Sequence, residues 1–108
     1  MQLGLHTGID RKIAQNKVMI FSRTRDPNSI LTKNFLKRKY VKFGVQDLNL
    51  EANGKAIQKA LERKTGQKKI PYIFCSGKFI GDHVKLKAAN KNGDFDELLC
   101  KQYPKVQE

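Results

Sequence analysis

A short apolar run that passes through a turn into an amphipathic helix is the feature that most constrains the fold. The run is Val18-Met19-Ile20-Phe21, and its unbroken apolar character predicts a strand that is buried on both faces of a sheet. A helix is predicted from Ile30 to Tyr40 because apolar residues recur there at helical spacing, namely Leu31, Phe35, Leu36 and Tyr40. Since free amides and the helix dipole point at the connecting turn, the arrangement predicts an α/β protein with a site at that turn.

The turn is occupied by Asp26-Pro27-Asn28-Ser29, which begins with a carboxylate. An aspartate at a helix start accepts hydrogen bonds from the first free amides, and proline at the first helical position gives up a donor that has no partner. The tetrapeptide therefore predicts an N-cap at Asp26. The alternative, a catalytic acid or a metal ligand, is disfavoured because the sequence places no second carboxylate or histidine beside Asp26. We expect no metal site.

Length and cysteine content limit the class of protein. The chain of 108 residues is expected to form one domain, residues 1–108, which buries about two-thirds of its unfolded surface. Cys75 and Cys100 lie in an apolar strand and an apolar helix rather than in a disulfide framework, which favours an intracellular, cytoplasmic location. No apolar segment approaches the roughly 20 residues of a membrane span, and Met1 to Asn16 lacks the apolar block of a secretory signal. A membrane partner is therefore not expected.

Basic residues outnumber acidic ones, with 22 Lys plus Arg against 10 Asp plus Glu and a formal net charge of +12. A field of this sign attracts anions in general, including nucleic acids and acidic proteins. The basic residues alternate with apolar helix positions and no known nucleic-acid motif accompanies them, so solvated helix faces are favoured over a dedicated nucleic-acid surface. The basic segments are Lys37 to Lys42, Arg63 to Lys69, and Lys85 to Lys91.

The segments on either side of the first strand and helix predict further alternation of helices and strands. A short helix is predicted around Arg11 to Gln15 with Asp10 as its N-cap, and a second strand from Val41 to Leu48. A further helix ends at Gly66, which is able to take the left-handed conformation at a helix C-terminus. The buried stripe of that helix is predicted to consist of Ala56, Ile57, Ala60 and Leu61.

The last third of the chain predicts a hairpin and two helices. The hairpin has two short strands around a tight turn, namely Tyr72 to Cys75, Ser76-Gly77 and Lys78 to Ile80. Val84 to Ala89 predicts a helix that breaks near Asn92-Gly93, and the spacing of Asp94 and Glu97 predicts a capping box for a final helix. Two crossover helices require parallel pairing and the hairpin requires antiparallel pairing, so we expect a mixed four-stranded sheet with helices on both faces.

Several segments of residues 16–99 resemble the glutaredoxin family. Asn16 to Thr24 is similar to the family's first strand and the approach to its Cys-Pro-Tyr-Cys site, and Thr65 to Pro71 is similar to its Thr-Gly-Gln-x-Thr-Val-Pro segment. Ser76 to Gly81 resembles the Asn-Gly-Lys-x-Ile-Gly of its hairpin, and Asn92 to Phe95 resembles the Ser-Gly-Glu-Leu that opens its last helix. The resemblance implies the thioredoxin-like, three-layer fold, with an N-terminal helix and a short C-terminal tail outside it.

The resemblance breaks at the centre of the family's site. The family's nucleophilic cysteine corresponds to Asp26 and its resolving cysteine to Ser29, so that only Pro27 remains of the motif. Thiol–disulfide exchange requires a thiolate that attacks sulfur, and neither a carboxylate nor a hydroxyl replaces it. We therefore expect no catalytic residue, and no iron–sulfur cluster, since family members that bridge one use the first cysteine as the iron ligand. Cys75 is expected to be a buried, inert thiol.

The resemblance also implies a glutathione groove that is partly preserved. Arg23 matches the family's basic residue before the site, Gln67 matches a glutamine that helps to hold the glycyl carboxylate, and Ile70-Pro71 matches a bond that the family holds cis. The family's Gly-Gly-x-Asp-Asp corresponds to Gly81-Asp82-His83-Val84-Lys85, which lacks one glycine and both acidic residues. We therefore expect glutathione to bind weakly or not at all, and His83 to be a surface helix residue rather than a ligand.

These observations leave three function classes open. The favoured one is a redox-inactive glutaredoxin-like module that binds a protein or peptide through a groove formed by Arg23, Gln67, Ile70, Pro71, Gly81 and Asp82. The first alternative is a glutathione-binding domain with residual glutathione–disulfide oxidoreductase activity, its sulfur supplied in trans. The second alternative is a basic module that binds nucleic acid or another polyanion, whose affinity would fall steeply with salt.

Overall fold

The first strand lies inside the sheet and organises the rest of the chain around it. The computed structural model describes residues 2–100. The predicted C-terminal tail, from residue 101 onward, lies outside the described residues. The elements are α1 (Gln2–Gln15), β1 (Val18–Ser22), α2 (Pro27–Arg38), β2 (Gly44–Asp47), a 3-10 turn (Leu48–Leu50), α3 (Gly54–Thr65), β3 (Tyr72–Cys75), β4 (Lys78–Gly81), α4 (His83–Asn92) and α5 (Asp94–Cys100).

The sheet has the strand order β2-β1-β3-β4. β1 pairs with β2 in parallel and with β3 antiparallel, and β3 pairs antiparallel with β4 across a register shift at Ile73/Phe74. This is the mixed four-stranded sheet that the sequence predicted, with the crossover helix α2 supplying the parallel pair and the hairpin supplying the antiparallel one. The prediction is confirmed.

Alternate residues of the buried strands feed two cores on opposite faces of the sheet, as the period of two along a strand requires. Met19 and Phe21 pack with α1 and α3 on one face. Val18 and Ile20 pack on the other face with α2, α4 and α5, through Leu36, Leu86 and Phe95. The fold therefore has three layers, and every residue of β1 is buried.

The N-terminal helix is longer than the sequence predicted. α1 runs from Gln2 to Gln15, so Asp10 lies within the helix and is not its N-cap. Ile9 and Ile13, one turn apart, are buried against the core and hold this part of α1 on the sheet. Asp10 instead forms an ion pair with Lys64 of α3, with Oδ1 and Nζ 2.9 Å apart.

α2 begins and ends earlier than the sequence predicted, and β2 is shorter than the predicted strand. α2 begins at Pro27 and ends at Arg38, and Tyr40 is 95% exposed with a positive φ of 59° rather than on the apolar face. The amide of Val41 donates to the carbonyl of Leu36, which closes the helix and turns the chain away from it. β2 is accordingly confined to Gly44–Asp47, and Ala56 of α3 is exposed rather than part of the buried stripe.

The later elements follow the predictions with one exception. Gly66 takes the left-handed conformation at the end of α3, and its amide donates to the carbonyl of Glu62 over 2.7 Å. The hairpin turn Ser76-Gly77 is present, with positive φ at both residues. Asp94, however, is the first residue of α5 rather than its cap, and its amide donates to Oδ1 of Asn92. Among the described residues, no helix is both long enough and apolar enough to cross a membrane.

Candidate functional site

The turn between β1 and α2 is closed by its own side chains. Asp26 has extended backbone, and its Oδ2 accepts a hydrogen bond from the Ser29 amide over 2.8 Å. Pro27 is the first residue of the helix, where its missing donor costs nothing. The predicted N-cap at Asp26 is confirmed.

Ser29 forms a second hydrogen bond within the turn. Its side chain is fully buried, and its Oγ accepts a hydrogen bond from the Arg23 amide over 3.3 Å. The Asp26 amide in turn donates to the Arg23 carbonyl, and the Ile30 amide donates to the Asp26 carbonyl. Side chains of the turn thus use the amides of Ser29 and Arg23, which a bound anion would otherwise have met.

A charged pair that the sequence reasoning missed lies directly behind the turn. Lys33 of α2 and Asp47 at the end of β2 form an ion pair with Nζ and Oδ1 3.0 Å apart, and their side chains are only 19% and 15% exposed. The fully buried Ser22 donates through Oγ to the same Oδ1 over 2.6 Å. The signal was available, because parallel strands end at the same edge of a sheet and Ser22 pairs with Asp47 in register.

Arg23 connects the turn to the loop that precedes β3. Its Nη2 donates to Oε1 of Gln58 over 3.0 Å, and Nε2 of Gln58 donates to the carbonyl of Lys68 over 3.3 Å. The Arg23 side chain is exposed, so the remaining guanidinium hydrogens face solvent.

Gln67 braces the loop that leads into β3. Its Nε2 donates to the carbonyls of Lys69 over 2.7 Å and Pro71 over 2.9 Å. Its backbone carbonyl accepts from the hydroxyl of Tyr72 over 2.8 Å. The Ile70–Pro71 peptide bond is cis. Both amide hydrogens of Gln67 are therefore engaged within the loop, and a carboxylate ligand would have to displace one of these bonds.

The start of α4 repeats the arrangement at the start of α2. Asp82 is the N-cap, and its Oδ1 accepts a hydrogen bond from the Lys85 amide over 3.1 Å. Gly81 before it has a φ of 129°, and a Cβ there would lie 2.7 Å from Cδ of Lys85. Glycine is needed at position 81 because a side-chain-bearing residue rarely adopts this backbone conformation.

His83 differs from the sequence prediction of a surface residue. It is half-buried, and its Nδ1 lies 3.2 Å from Oγ1 of Thr32, which itself donates to the carbonyl of Asn28. Because the Thr32 hydrogen is used in that bond, His83 donates through Nδ1. Burial, with a smaller contribution from Lys87, lowers the pKa of His83. His83 thus joins α4 to the first turns of α2.

Both thiols lie away from the turn. Cys75 is fully buried in β3, and burial raises the pKa of its thiol, as expected for an inert cysteine. Cys100 is exposed at the last residue of α5. Both cysteines are free. Among residues 2–100, no group of three or more His, Cys, Asp or Glu side chains is arranged to hold a metal ion.

A groove of about 570 Å³ opens on the turn. Asn49 forms part of its wall and is held by two bonds to Thr24, accepting from the Thr24 amide over 3.0 Å and donating to its hydroxyl over 2.9 Å. Sequence reasoning missed Thr24, Asn49 and the exposed Leu50. A larger groove of about 710 Å³ lies beside Val18 at the other end of β1, far from these residues. The groove at the turn is lined by Arg23, Thr24, Arg25, Asp26, Asn49 and Leu50.

Comparison with known proteins identifies the family. The family model described as glutaredoxin matches residues 18–80, which run from β1 into β4 and include both the turn and the loop before β3. The chain is 34% identical to glutaredoxin-1 of Rhizophagus irregularis over 92 residues, which cover 85% of this chain and 91% of the relative. The chain belongs to the glutaredoxin family.

Solved glutaredoxin structures share its fold. A buckwheat glutaredoxin in complex with glutathione superposes with a TM-score of 0.85 at 26% identity, covering 91% of this chain and 88% of that one. Oxidized glutaredoxin 2 from Chlamydomonas reinhardtii superposes with a TM-score of 0.82 at 34% identity, covering 90% and 92%. The fold is therefore thioredoxin-like, as the resemblance implied.

Within this glutaredoxin fold, the predicted groove residues lie at one end of the sheet. Tyr72, which follows Pro71, pairs with Phe21 near the end of β1, and Gly81 pairs with Ile73 of β3. The strand ends thus bring the Asp26 turn, the Gln67 loop and the Asp82 cap to the same edge. The residues at this end of the sheet are Arg23, Asp26, Ser29, Gln67, Ile70, Pro71, Gly81 and Asp82, and of these Arg23 and Asp26 line the groove of about 570 Å³.

Proposed function

We propose that this glutaredoxin-family domain is redox-inactive and binds a protein or peptide in the groove at the end of its sheet. The observation that carries the first part is the Asp26 carboxylate, which occupies the start of α2 and is hydrogen bonded to the Ser29 amide over 2.8 Å. A carboxylate cannot form the mixed disulfide through which thiol–disulfide exchange proceeds. Ser29 offers only a buried hydroxyl.

Neither cysteine of the chain compensates for the missing thiolate. Cys75 is buried in β3 with a raised pKa, so little thiolate forms at neutral pH and no substrate disulfide reaches it. Cys100 ends α5, which packs beside α4 and β3 rather than at the turn. The sulfur chemistry of the relatives therefore has no group to perform it at this edge.

The second part of the proposal rests on what the edge retains. The loop before β3 keeps its shape through Gln67 and Tyr72, and the half-buried Ile70 lies within it. An extended peptide would pair with the backbone of Ile70 as an added strand does. The exposed Leu50 and the arginines beside Asp26 then offer apolar and charged contacts for its side chains.

Glutathione-dependent reduction of a small mixed disulfide tests the loss of activity. We expect no turnover above the glutathione background for the natural chain, and turnover at least about tenfold above it for Asp26→Cys with Ser29→Cys. Ser29→Cys alone is the matched control, because it adds a thiol but leaves Asp26 in place, and it should stay inactive. Robust turnover by the natural chain would refute the proposal.

Residual glutathione binding is the second candidate. The exposed Arg23 favours it, as does the likeness to a buckwheat glutaredoxin solved in complex with glutathione. Amide chemical shifts measured during titration with reduced glutathione would move at Arg23, Gln67, Ile70 and Gly81 if it binds. The same titration with a short oligonucleotide at two salt concentrations separates polyanion binding, which would vanish at high salt.

We further propose that the chain acts as one domain in a reducing, intracellular compartment, the cytoplasm. Both cysteines are free, and the exposed Cys100 would be prone to oxidation or exchange in an oxidising compartment. Fractionation of cells with an antibody against the protein tests this location. Recovery from the secreted fraction would contradict it.

A further inference from the structure

Two large apolar side chains are exposed, one on α2 and one on α4. Leu31 is 50% exposed and Val84 is 69% exposed. Each is the immediate neighbour in sequence of one member of the Thr32–His83 contact, which joins the two helices. Leu31 and Val84 therefore lie near the same crossing of α2 and α4.

The helix faces that carry Leu31 and Val84 each extend by one further turn. Phe35 lies one turn beyond Leu31 and Lys87 lies one turn beyond Val84, so each pair shares a helix face. The two faces meet where Nζ of Lys87 lies 5.8 Å from the centre of the Phe35 ring. We call the surface formed by Leu31, Phe35, Val84 and Lys87 the α2–α4 face.

The charges around the α2–α4 face are positive. Helical spacing places the exposed Arg38 next to Phe35 on α2 and the exposed Lys91 next to Lys87 on α4. The acidic residues nearby are engaged elsewhere. Asp96 pairs with Lys39 over 3.0 Å, Asp82 caps α4, and Asp94 and Glu97 line a separate groove with Lys78 and Lys85.

We propose that the α2–α4 face binds an acidic amphipathic helix of a partner protein. Leu31 and Val84 supply an apolar strip between two helices, which is the surface on which a partner helix lays its apolar side. Arg38, Lys87 and Lys91 complement carboxylates on the flanks of that helix. A nucleic acid would meet the lysines but would leave Leu31 and Val84 without an apolar partner. Neither Leu31 nor Val84 lines the groove at the Asp26 turn.

A designed helical peptide tests the proposal by isothermal titration. It carries leucines spaced three and four residues apart and glutamates on both flanks. We expect Leu31→Asp, Val84→Asp and the pair Lys87→Glu with Lys91→Glu each to weaken its binding by about tenfold or more. All these sites are exposed, and circular dichroism would establish that each variant is folded.

Matched controls separate this surface from general charge and from the groove. Lys12→Glu with Lys59→Glu removes the same charge from α1 and α3, and Leu50→Asp adds a carboxylate beside the Asp26 turn; both should change affinity less than about twofold. Equal binding of a peptide with serine in place of leucine would overturn the proposal. So would unchanged affinity in Leu31→Asp and Val84→Asp, or a loss confined to Leu50→Asp, which would place the peptide in the groove.

Discussion

The turn before α2 and the loop before β3 meet at the same end of the sheet but are held by different means. In the turn, a carboxylate and a buried hydroxyl use up the local amides, through the bonds of Asp26 to Ser29 and of Ser29 to Arg23. In the loop, amide side chains bind backbone carbonyls: Gln67 binds those of Lys69 and Pro71, and Gln58 binds that of Lys68.

The difference shows that the shape of the edge and its chemistry are set independently. Nothing that shapes the loop depends on sulfur, because its bonds run between an amide side chain, backbone carbonyls and the hydroxyl of Tyr72. The turn, by contrast, is closed by the carboxylate of Asp26 and the hydroxyl of Ser29. The bonds that shape the loop are therefore independent of the side chains that close the turn.

The largest loss in the free energy of unfolding is expected when the ion pair behind the turn is broken. Removing one partner of a fully buried pair costs about 3–5 kcal/mol, and since Asp47 and Lys33 keep 15% and 19% exposure we expect about 2 kcal/mol for Asp47→Asn. Urea unfolding measures the loss. Lys33→Gln is the control, and the double change should cost less than the sum of the two. Simple additivity would mean that the pair does not hold α2 to β2.

The cap at the start of α2 should contribute next. Asp26→Ala removes the acceptor for the Ser29 amide and is expected to lower the free energy of unfolding by about 1 kcal/mol. Asp26→Asn keeps an acceptor and loses only the charge at the helix dipole, so it should cost a few tenths of a kcal/mol. Equal losses in the two variants would show that charge, rather than the hydrogen bond, closes the turn.

Substitutions of Gln67 test how strongly hydrogen bonds stabilise the loop before β3. Gln67→Ala removes two hydrogen bonds at a half-buried site, and we expect a loss of about 0.5–1 kcal/mol. Gln67→Glu should cost more, because a carboxylate would then face the carbonyls of Lys69 and Pro71. Thermal unfolding of both variants checks the order. A smaller loss for glutamate would contradict the bracing role of the amide.

The smallest expected effect is a pH dependence of the folding stability that arises from His83. Because burial lowers its pKa in the folded protein, the unfolded chain binds more protons below about pH 6.5, and stability falls as pH drops through that range. His83→Gln should flatten this part of the stability profile. The measurement is the difference between the two proteins at pH 7 and pH 5, which removes the shared titration of the carboxylates. Parallel profiles would contradict the shift.

The sequence predicted those parts of the molecule that local pattern controls. The apolar run of β1, the cap at Asp26 and the left-handed Gly66 each have a signature within a few residues, and all three are present. The mixed sheet followed from the connection types, but only α2 joins a parallel pair; the strands on either side of α3, which was also predicted to be a parallel crossover, run antiparallel. The family was evident from segments as short as Thr65 to Pro71.

The missed features depend on contacts between distant residues. Asp47 and Lys33 are 14 positions apart and Asn49 and Thr24 are 25 apart, so nothing in a local window joins them. The length of α1 was missed because its first half contains two glycines, Gly4 and Gly8, whose low helix propensity argues against a helix there. Tyr40 fits the helical spacing of the apolar residues but lies beyond the end of α2, because the spacing alone does not show where the helix ends.

The carboxylate cap of α2 also determines how this site would respond to peroxide. A cysteine thiolate at a helix start is the group that oxidants convert to sulfenic and then sulfinic acid, with a change of charge and shape at each stage. Asp26 has no such series of oxidation states. Its hydrogen bond to Ser29 would persist under oxidative stress, so a partner that rests on this turn would not be displaced by oxidation of the turn itself.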